Sequence, residues 1–240
     1  MRYFIAGTDT DSGKTLVASS LLYLAKQQGS TLGVKPIASG CELTAEGLRN
    51  PDALALMEHS SVRLDYTQVN PFAFEPAIAP HIAAKQLGVN LDAQTVAEHL
   101  ASLPLMDVDF ALVEGAGGWR LPLNENLRQA GKINPQGFLS YVVSQLDMPV
   151  ILVVGVKLGC LNHALLTQEA ILNDGVKIAG WVANCVDPLM DVTSDNLSTL
   201  TTIMQAPCLG IIPYLAESNA ENAAQYLDLS KLSPESASVE

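Results

Sequence analysis

Gly7-Thr8-Asp9-Thr10-Asp11-Ser12-Gly13-Lys14-Thr15 follows directly on the apolar run Tyr3-Phe4-Ile5-Ala6, and its reading decides the fold. The order is strand, glycine-bounded turn, helix, with Gly-Lys-Thr where the turn becomes the helix. Such a junction presents unpaired backbone N–H groups and the positive end of a helix dipole, and so attracts an anion. Lys14 is placed to reach the terminal phosphates of a nucleotide, and the Thr15 hydroxyl to bind Mg²⁺. The general phosphate-loop pattern has four residues between its glycines, whereas five separate Gly7 from Gly13. Strict register would put Thr8 at the first glycine position. Because a bare Gly-Lys-Thr also occurs at helix starts that only expose a lysine, the flanking strand and helix carry the assignment.

Outward from the loop, composition narrows the function classes. Hydrophobic residues make up 48% of the 240-residue chain and charged residues 16%, enough for a large core and too apolar for disorder. The formal net charge is −12 and no basic run is present, which argues against a nucleic-acid partner. The first apolar run ends at Gly7 and the longest later one, Pro149 to Val156, is too short to span a bilayer, so no membrane role is expected. Cys41, Cys160, Cys185 and Cys208 are scattered, with no Cys-x-x-Cys pair. Reduced thiols and a cytoplasmic location are expected.

Short apolar runs alternate with helical patterns along the chain. Strands are expected at Arg2–Ala6, Thr31–Lys35, Val108–Glu114, Val150–Val156, Lys177–Ala183 and Cys208–Ile212. Helices are expected at Lys14–Gln28, Asp52–His59, Ala79–Gln86, Ala93–Leu103, Gly137–Leu146, Asn162–Asn173, Thr193–Met204 and Glu221–Leu227. Asn50-Pro51 reads as an N-cap followed by proline in the first turn. Strands that are apolar throughout suit a sheet covered on both faces. The expectation is a single α/β domain over residues 1–228, with a mostly parallel sheet between helical layers. Asn124–Gln136 is expected to be irregular and residues 229–240 a disordered tail.

In a sheet of this kind ligands sit at the carboxyl ends of the strands. Each expected strand is followed there by chemically loaded residues: the Gly-Lys-Thr loop, Lys35-Pro36-Ile37-Ala38-Ser39-Gly40, Glu114-Gly115-Ala116-Gly117-Gly118, Lys157-Leu158-Gly159-Cys160, Asn184 and Pro213. Glu114 ends an apolar strand, where nucleotide-binding loops are matched by a metal-organising carboxylate. Asp52 at a helix start and Lys35 at a strand end are unspecific alone, a dipole partner and a solvated lysine being the ordinary readings. His59, His81, His99 and His163 lack metal-ligand spacing and read as surface or capping residues. With no nucleophile elbow, the chemistry points to phosphoryl transfer, with Lys14, Lys35 and Mg²⁺ stabilising charge.

Several longer segments then carry a resemblance. These are Gly-Thr-Asp-Thr-x-x-Gly-Lys-Thr, Lys35-Pro-x-Ala-Ser-Gly, Arg49-Asn50-Pro51-Asp52-Ala53-Leu54, Val113–Trp119 and Val154–His163, with Trp181–Asn184 and Ile212–Leu215. Together they resemble the dethiobiotin synthetase family of biotin biosynthesis, over nearly the whole chain. The five-residue loop spacing is what that family shows. The resemblance implies a single-domain P-loop NTPase-like fold and a reaction in which 7,8-diaminononanoate, CO₂ and ATP give dethiobiotin, ADP and phosphate. It implies Thr15, Asp52 and Glu114 as Mg²⁺ ligands, and Lys35, Lys14 and Thr10 as catalytic residues. ATP is assigned to Asp11, Ser12, Gly13, Lys14, Thr15, Leu16, Asp52, Glu114, Gly115, Ala116 and Gly117, with Asn184, Cys185, Pro213, Tyr214 and Leu215 around adenine. Substrate is assigned to Ser39, Gly118, Gly159, Cys160, Leu161 and Asn162, the last four serving the partner of a homodimer. Two departures stand out: Asp11 replaces the family's usual Glu, and Arg120–Gln136 is longer than usual.

Two other readings remain open on the residues alone. One is a related amide-forming ligase acting on another amine or acid. The other is a nucleotide-switch ATPase that dimerises on DNA or membrane, against which the acidic charge and the absence of a basic amphipathic C-terminal helix weigh.

Overall fold

Tyr3 and Ile5 face one hydrophobic core, Phe4 and Ala6 the other, as the two-residue period of a strand buried on both faces requires. The computed structural model describes residues 1–232 of the chain. Its six-stranded sheet contains β1 (Arg2–Gly7), β2 (Thr31–Val34), β3 (Phe110–Gly118), β4 (Val150–Val156), β5 (Ile178–Cys185) and β6 (Cys208–Ile212). All pairs are parallel, in the spatial order β6-β5-β4-β1-β3-β2. The helices are α1 (Lys14–Lys26), α2 (Pro51–His59), α3 (Tyr66–Val69), α4 (Pro80–Gln86), α5 (Ala93–Ser102), α6 (Leu139–Gln145), α7 (Cys160–Asn173), α8 (Thr193–Ile203) and α9 (Ala220–Ala224). Val17, Leu21 and Leu22 of α1 cover one face with Leu56 of α2 and Ala223 of α9. Val96 and Leu100 of α5, Val142 and Val143 of α6, Ala164 and Ile171 of α7 and Leu200 of α8 cover the other. The expected single α/β domain with a parallel sheet between helical layers is the observed fold.

β1 lies between β3 and β4, so the chain reverses its direction of travel across the sheet there. That is the switch point beside which open α/β sheets bind ligands, and the loop after β1 opens into it.

The boundaries moved in two informative places. β3 was expected to end at Glu114 but runs to Gly118. Ile5 aligns with Glu114 and Gly7 with Gly118, so the Gly115–Gly117 stretch bulges out and pairing resumes. Gly117 takes the bend at φ 61°, and Gly115 lies on Phe4, whose Cζ would stand 2.7 Å from an added Cβ. Asn124–Gln136, expected to be irregular, contains the hairpin Arg128–Gln129/Lys132–Ile133 and is pinned by buried Asn134, whose Nδ2 donates to Asn126 O at 2.8 Å. A parallel pair, Ile37–Ser39 with Phe72–Phe74, and the hairpin Glu42–Thr44/Gly47–Arg49 were not anticipated.

Packing also continues past the boundary set at 228. Leu229–Lys231 form a 3₁₀ turn and Leu232 is 4% exposed in the core under α1, while residues 233–240 lie outside the described residues. The returning chain closes on β6: Asp228 N–H donates to Leu209 O at 2.9 Å, and a Cβ at Gly210 would stand 2.0 Å from the Tyr226 carbonyl oxygen. Gly210→Ala should therefore lower the unfolding free energy by about 1–3 kcal/mol or more. Urea titration measures this, and an unchanged midpoint would contradict so close an approach.

Candidate active site

Gly13, at φ 84°, ends a single 3₁₀ turn over Thr10–Ser12 and starts α1. The fifth residue between the glycines is absorbed in that turn. Thr8 N–H holds the loop to the sheet through Val153 O at 3.0 Å, and Asn184 Nδ2 donates to Ser12 O at 3.0 Å. A Cβ at Gly13 would collide with the Asn184 amide at 2.0 Å, so that glycine is required by its neighbour as well as by its dihedral. Lys14 bends back over the loop, donating to Asp9 O at 2.8 Å and Thr10 O at 3.3 Å. Lys157, after β4, pairs with Asp9 Oδ2 at 2.6 Å and ties the loop to the next strand end.

Three elements converge beside Lys14. Lys35 follows β2, Glu114 lies in β3, and Asp52 rides the first turn of α2. Asn50 fixes that turn, its Oδ1 accepting from Asp52 N–H at 3.1 Å and Ala53 N–H at 3.2 Å, with Pro51 at the first helical position as expected. Lys35 Nζ stands 2.6 Å from Glu114 Oε1 and 2.7 Å from Asp52 Oδ2. Thr15 Oγ1 donates to Glu114 Oε1 at 2.9 Å. The Glu114 side chain is fully buried, that of Lys35 nearly so, and that of Asp52 40% exposed.

The two lysines differ electrostatically. Burial depresses the Lys14 ammonium to about 8, with Glu114 opposing the shift and Lys35 adding to it. Burial acts the same way on Lys35, but Glu114 and Asp52 overcome it and hold its pKa above the ordinary value. Asp52 feels a burial penalty too, yet Lys35 keeps its carboxyl below the usual range.

These groups form the floor of an open cavity of about 820 Å³. Of the residues singled out in the sequence, Thr10, Asp11, Gly13, Lys14, Thr15, Lys35, Ser39, Asp52, Glu114, Ala116 and Gly117 line it. Ser12, Leu16 and Gly115 do not line it: Ser12 is buried, Leu16 half-buried, and Gly115 is buried on Phe4. Gly118 sits against the Thr8 and Gly7 carbonyls. Gly159, Cys160, Leu161 and Asn162 start α7 outside this lining, as do Asn184, Cys185, Pro213, Tyr214 and Leu215 at the ends of β5 and β6. Sequence reasoning passed over Ala77–Pro80 and Leu121, which complete the rim, and took Asn50 only as a cap. The Ala-Pro step before α4 was their only sequence signal.

Oxygen donors dominate the floor. Glu114 Oε2 is buried with no hydrogen-bond partner, and Asp52 and the Thr15 hydroxyl are beside it. An orphaned carboxylate oxygen next to a second carboxylate and a hydroxyl fits a hard divalent cation whose remaining ligands are phosphate oxygens and water. Among the described residues no cluster of three His, Cys, Asp or Glu offers an all-protein metal cage.

A family model described as an AAA domain matches residues 1–222. The chain is 52% identical over 231 residues to the ATP-dependent dethiobiotin synthetase of Pseudomonas paraeruginosa, covering 96% of this chain and 97% of that one. It is also 52% identical over 231 residues to the one from Cellvibrio japonicus, covering 96% of each. The chain belongs to the dethiobiotin synthetase family. The MinC:MinD cell division protein complex of Aquifex aeolicus shares the fold at a TM-score of 0.53 and 12% identity, covering 100% of this chain and 97% of that one.

Lys35→Ala would leave the buried Glu114 without its cation. It should cost about 3 kcal/mol in urea unfolding, discounted for the part-exposed Asp52. Adding Glu114→Gln should restore much of that loss. A cost below about 1 kcal/mol for the single variant would mean that Glu114 is not held as an ion.

Proposed function

We propose that the protein is an ATP-dependent dethiobiotin synthetase, a ligase that forms the two C–N bonds of a cyclic urea from 7,8-diaminononanoate and CO₂. The observation that carries this reading is the Lys35 ammonium between Glu114 and Asp52, on the floor of the cavity that also exposes Lys14 and Thr15. Phosphoryl transfer to a substrate oxygen needs no protein nucleophile; it needs cations and positioning. Two lysines, a glycine-flanked loop and two carboxylates supply that.

One amine of the diamine adds to CO₂, losing a proton and forming a carbamate. A carbamate oxygen then attacks the γ-phosphorus of ATP, and ADP leaves. The second amine attacks the carbon of the resulting carbamic–phosphoric anhydride, loses its proton, and phosphate departs as the urea ring closes. Lys35, always cationic, would hold carbamate and γ-phosphoryl oxygens together. Lys14 would swing from the Asp9 and Thr10 carbonyls to the phosphates. Thr10 and Ser39 would hydrogen-bond the substrate, and the Ser39 hydroxyl is buried without a partner. Asp11, exposed at the cavity mouth, would contact substrate from one methylene further away than Glu.

Thr15, Asp52 and Glu114 would hold Mg²⁺, which when bound would neutralise charge on the phosphates. Asn184 and the Cys185 and Pro213–Leu215 stretches would border adenine, next to the loop that Asn184 already braces. We also infer a homodimer. Gly159–Asn162 stand outside their own cavity and beside Leu158, which is 93% exposed, a position suited to holding the substrate carboxylate in the partner's site. Among the described residues no helix is long and apolar enough to cross a membrane, in keeping with a cytoplasmic enzyme.

Incubation with ATP, Mg²⁺, bicarbonate and the diamine should release phosphate only when the diamine is present. Release that ignores the diamine would sink the ligase reading in favour of a switch ATPase. A pH series gives an independent check. With its pKa near 8, Lys14 is charged below that pH and ready for phosphate; above it, binding must first take up a proton. The ATP dissociation constant should therefore rise by up to about tenfold per pH unit above 8, while Lys14→Arg, which stays charged, should flatten the rise. Calorimetric affinities that hold steady across that range would contradict a Lys14 of lowered pKa paired with the phosphates.

A further inference from the structure

Tyr66 belongs to none of the motifs and does not line the cavity, yet its hydroxyl joins the two chain segments that carry the ion cluster. It accepts the Asn50 backbone N–H at 2.7 Å and donates to Asn70 Oδ1 at 2.9 Å. Asn70 Nδ2 donates in turn to the Lys35 carbonyl oxygen at 2.6 Å. Asn50 is the residue whose side chain caps the first turn of α2, where Asp52 sits. Asn50 and Asn70 are 5% and 2% exposed, so these groups have little water to turn to.

The directions of the bonds are forced. The Tyr66 oxygen must accept from a backbone N–H, so its own proton is free only for Asn70. Asn70 therefore receives at Oδ1 and must present its NH₂ to Lys35 O, as found. Burial raises the Tyr66 pKa, so the phenol remains a donor. Arg49 covers the ring, its guanidinium 4.2 Å from the centroid, and Lys35 N–H is tied to Val69 O at 3.1 Å.

We propose that Tyr66 is a positioning residue for the Lys35–Asp52–Glu114 cluster, setting the backbone of Lys35 against the capped turn that carries Asp52. At its C-terminal end α2 is tied to β2 directly, Ser60 Oγ accepting from Gly33 N–H at 2.8 Å. At its N-terminal end, beyond a loop and a hairpin from the end of β2, the tie to Lys35 is the Asn50–Tyr66–Asn70 bridge. A shift of one ångström in a charged group can cost about a hundredfold in rate. The effect on turnover rests on the functional reading above; the effect on Lys35 itself does not.

Tyr66→Phe and Asn70→Ala are the test, in the full chain, with Ser60→Ala as control. Ser60 makes a buried hydrogen bond to Gly33 N–H at the other end of α2, 2.8 Å long, so its loss lowers stability without touching the bridge. Acetic anhydride labelling, read by mass spectrometry against the exposed Lys132, should rise about fivefold or more at Lys35 in both bridge variants and not in Ser60→Ala. Turnover should fall about tenfold with the KM for ATP within about twofold, and the double variant should be no slower than the worse single one. Unchanged Lys35 labelling in Tyr66→Phe would overturn the proposal, and so would equal labelling gains in Ser60→Ala. If the unsubstituted protein gave no diamine-dependent phosphate release, the functional reading would fall, while the labelling would still decide the role of Tyr66.

Discussion

The buried contact between Lys35 and Glu114 is the constraint around which the rest is arranged. A fully buried carboxylate would be neutralised or expelled without a cation, and a buried ammonium has the same need. Bringing them to 2.6 Å requires β2 and β3 to be neighbours, with the lysine one residue beyond its strand and the glutamate still within the sheet. Their register does this: Val34 aligns with Val113, so Lys35 and Glu114 follow as the next residues on adjacent strands. Pairs of this kind contribute little to net stability compared with apolar replacements. Their place on the floor of the cavity therefore points to chemistry. Polar atoms left unpaired in the same floor, Glu114 Oε2 and Ser39 Oγ, point the same way.

From that contact follows a division of labour between two lysines. Lys35 sits between two carboxylates, which hold its pKa up; Lys14, whose pKa burial lowers to about 8 with Lys35 adding to the shift, donates to the loop carbonyls of Asp9 and Thr10. A lysine held by neutral carbonyls loses little when a phosphate replaces them, whereas a lysine held by carboxylates keeps a fixed place. One cation can exchange its partners and the other is a reference point. The loop beneath Lys14 is correspondingly braced from outside, by Asn184 on Ser12 and by Lys157 on Asp9, so that the lysine can move without the loop moving.

Much of this was legible in the sequence, for reasons that differ by residue. The sheet was legible because strands buried on both faces must be apolar throughout, as in Val150–Val156, and all six core strands were found. Lys14, Thr15, Lys35 and Glu114 were legible because strand ends meet at one edge of such a sheet; Asp52, at a helix start, reads alone as a dipole partner and was assigned through the family resemblance, and the cavity brings all five together. The extension of β3 past Glu114 was not, since glycines read as a stop until the register with Gly7 shows pairing resuming beyond the bulge. Nor was the bracing around the site. Asn70 and Tyr66 are ordinary loop and helix residues whose meaning lies in bonds to positions 16 and 35 residues away in the chain.

The contrast between near and distant likenesses follows from the same geometry. The parallel sheet between helices is a scaffold shared at 12% identity with the MinC:MinD cell division protein complex, and such a likeness carries fold alone. What particularises this chain is carried between β2 and β3, where Lys35, Ser39, Asn50, Asp52 and the Ala77–Pro80 rim are delivered to the cavity. That segment shares the core through Ile37, Phe74, Val96 and Leu100, but where it meets the cavity it is made of short two-stranded pairs and helix starts. Side-chain hydrogen bonds fasten those cavity-facing ends. The Asn50 cap and the Asn70 anchor to Lys35 O supply these bonds, so polar contacts set the cavity-facing ends of a segment whose apolar side shares the core of the sheet.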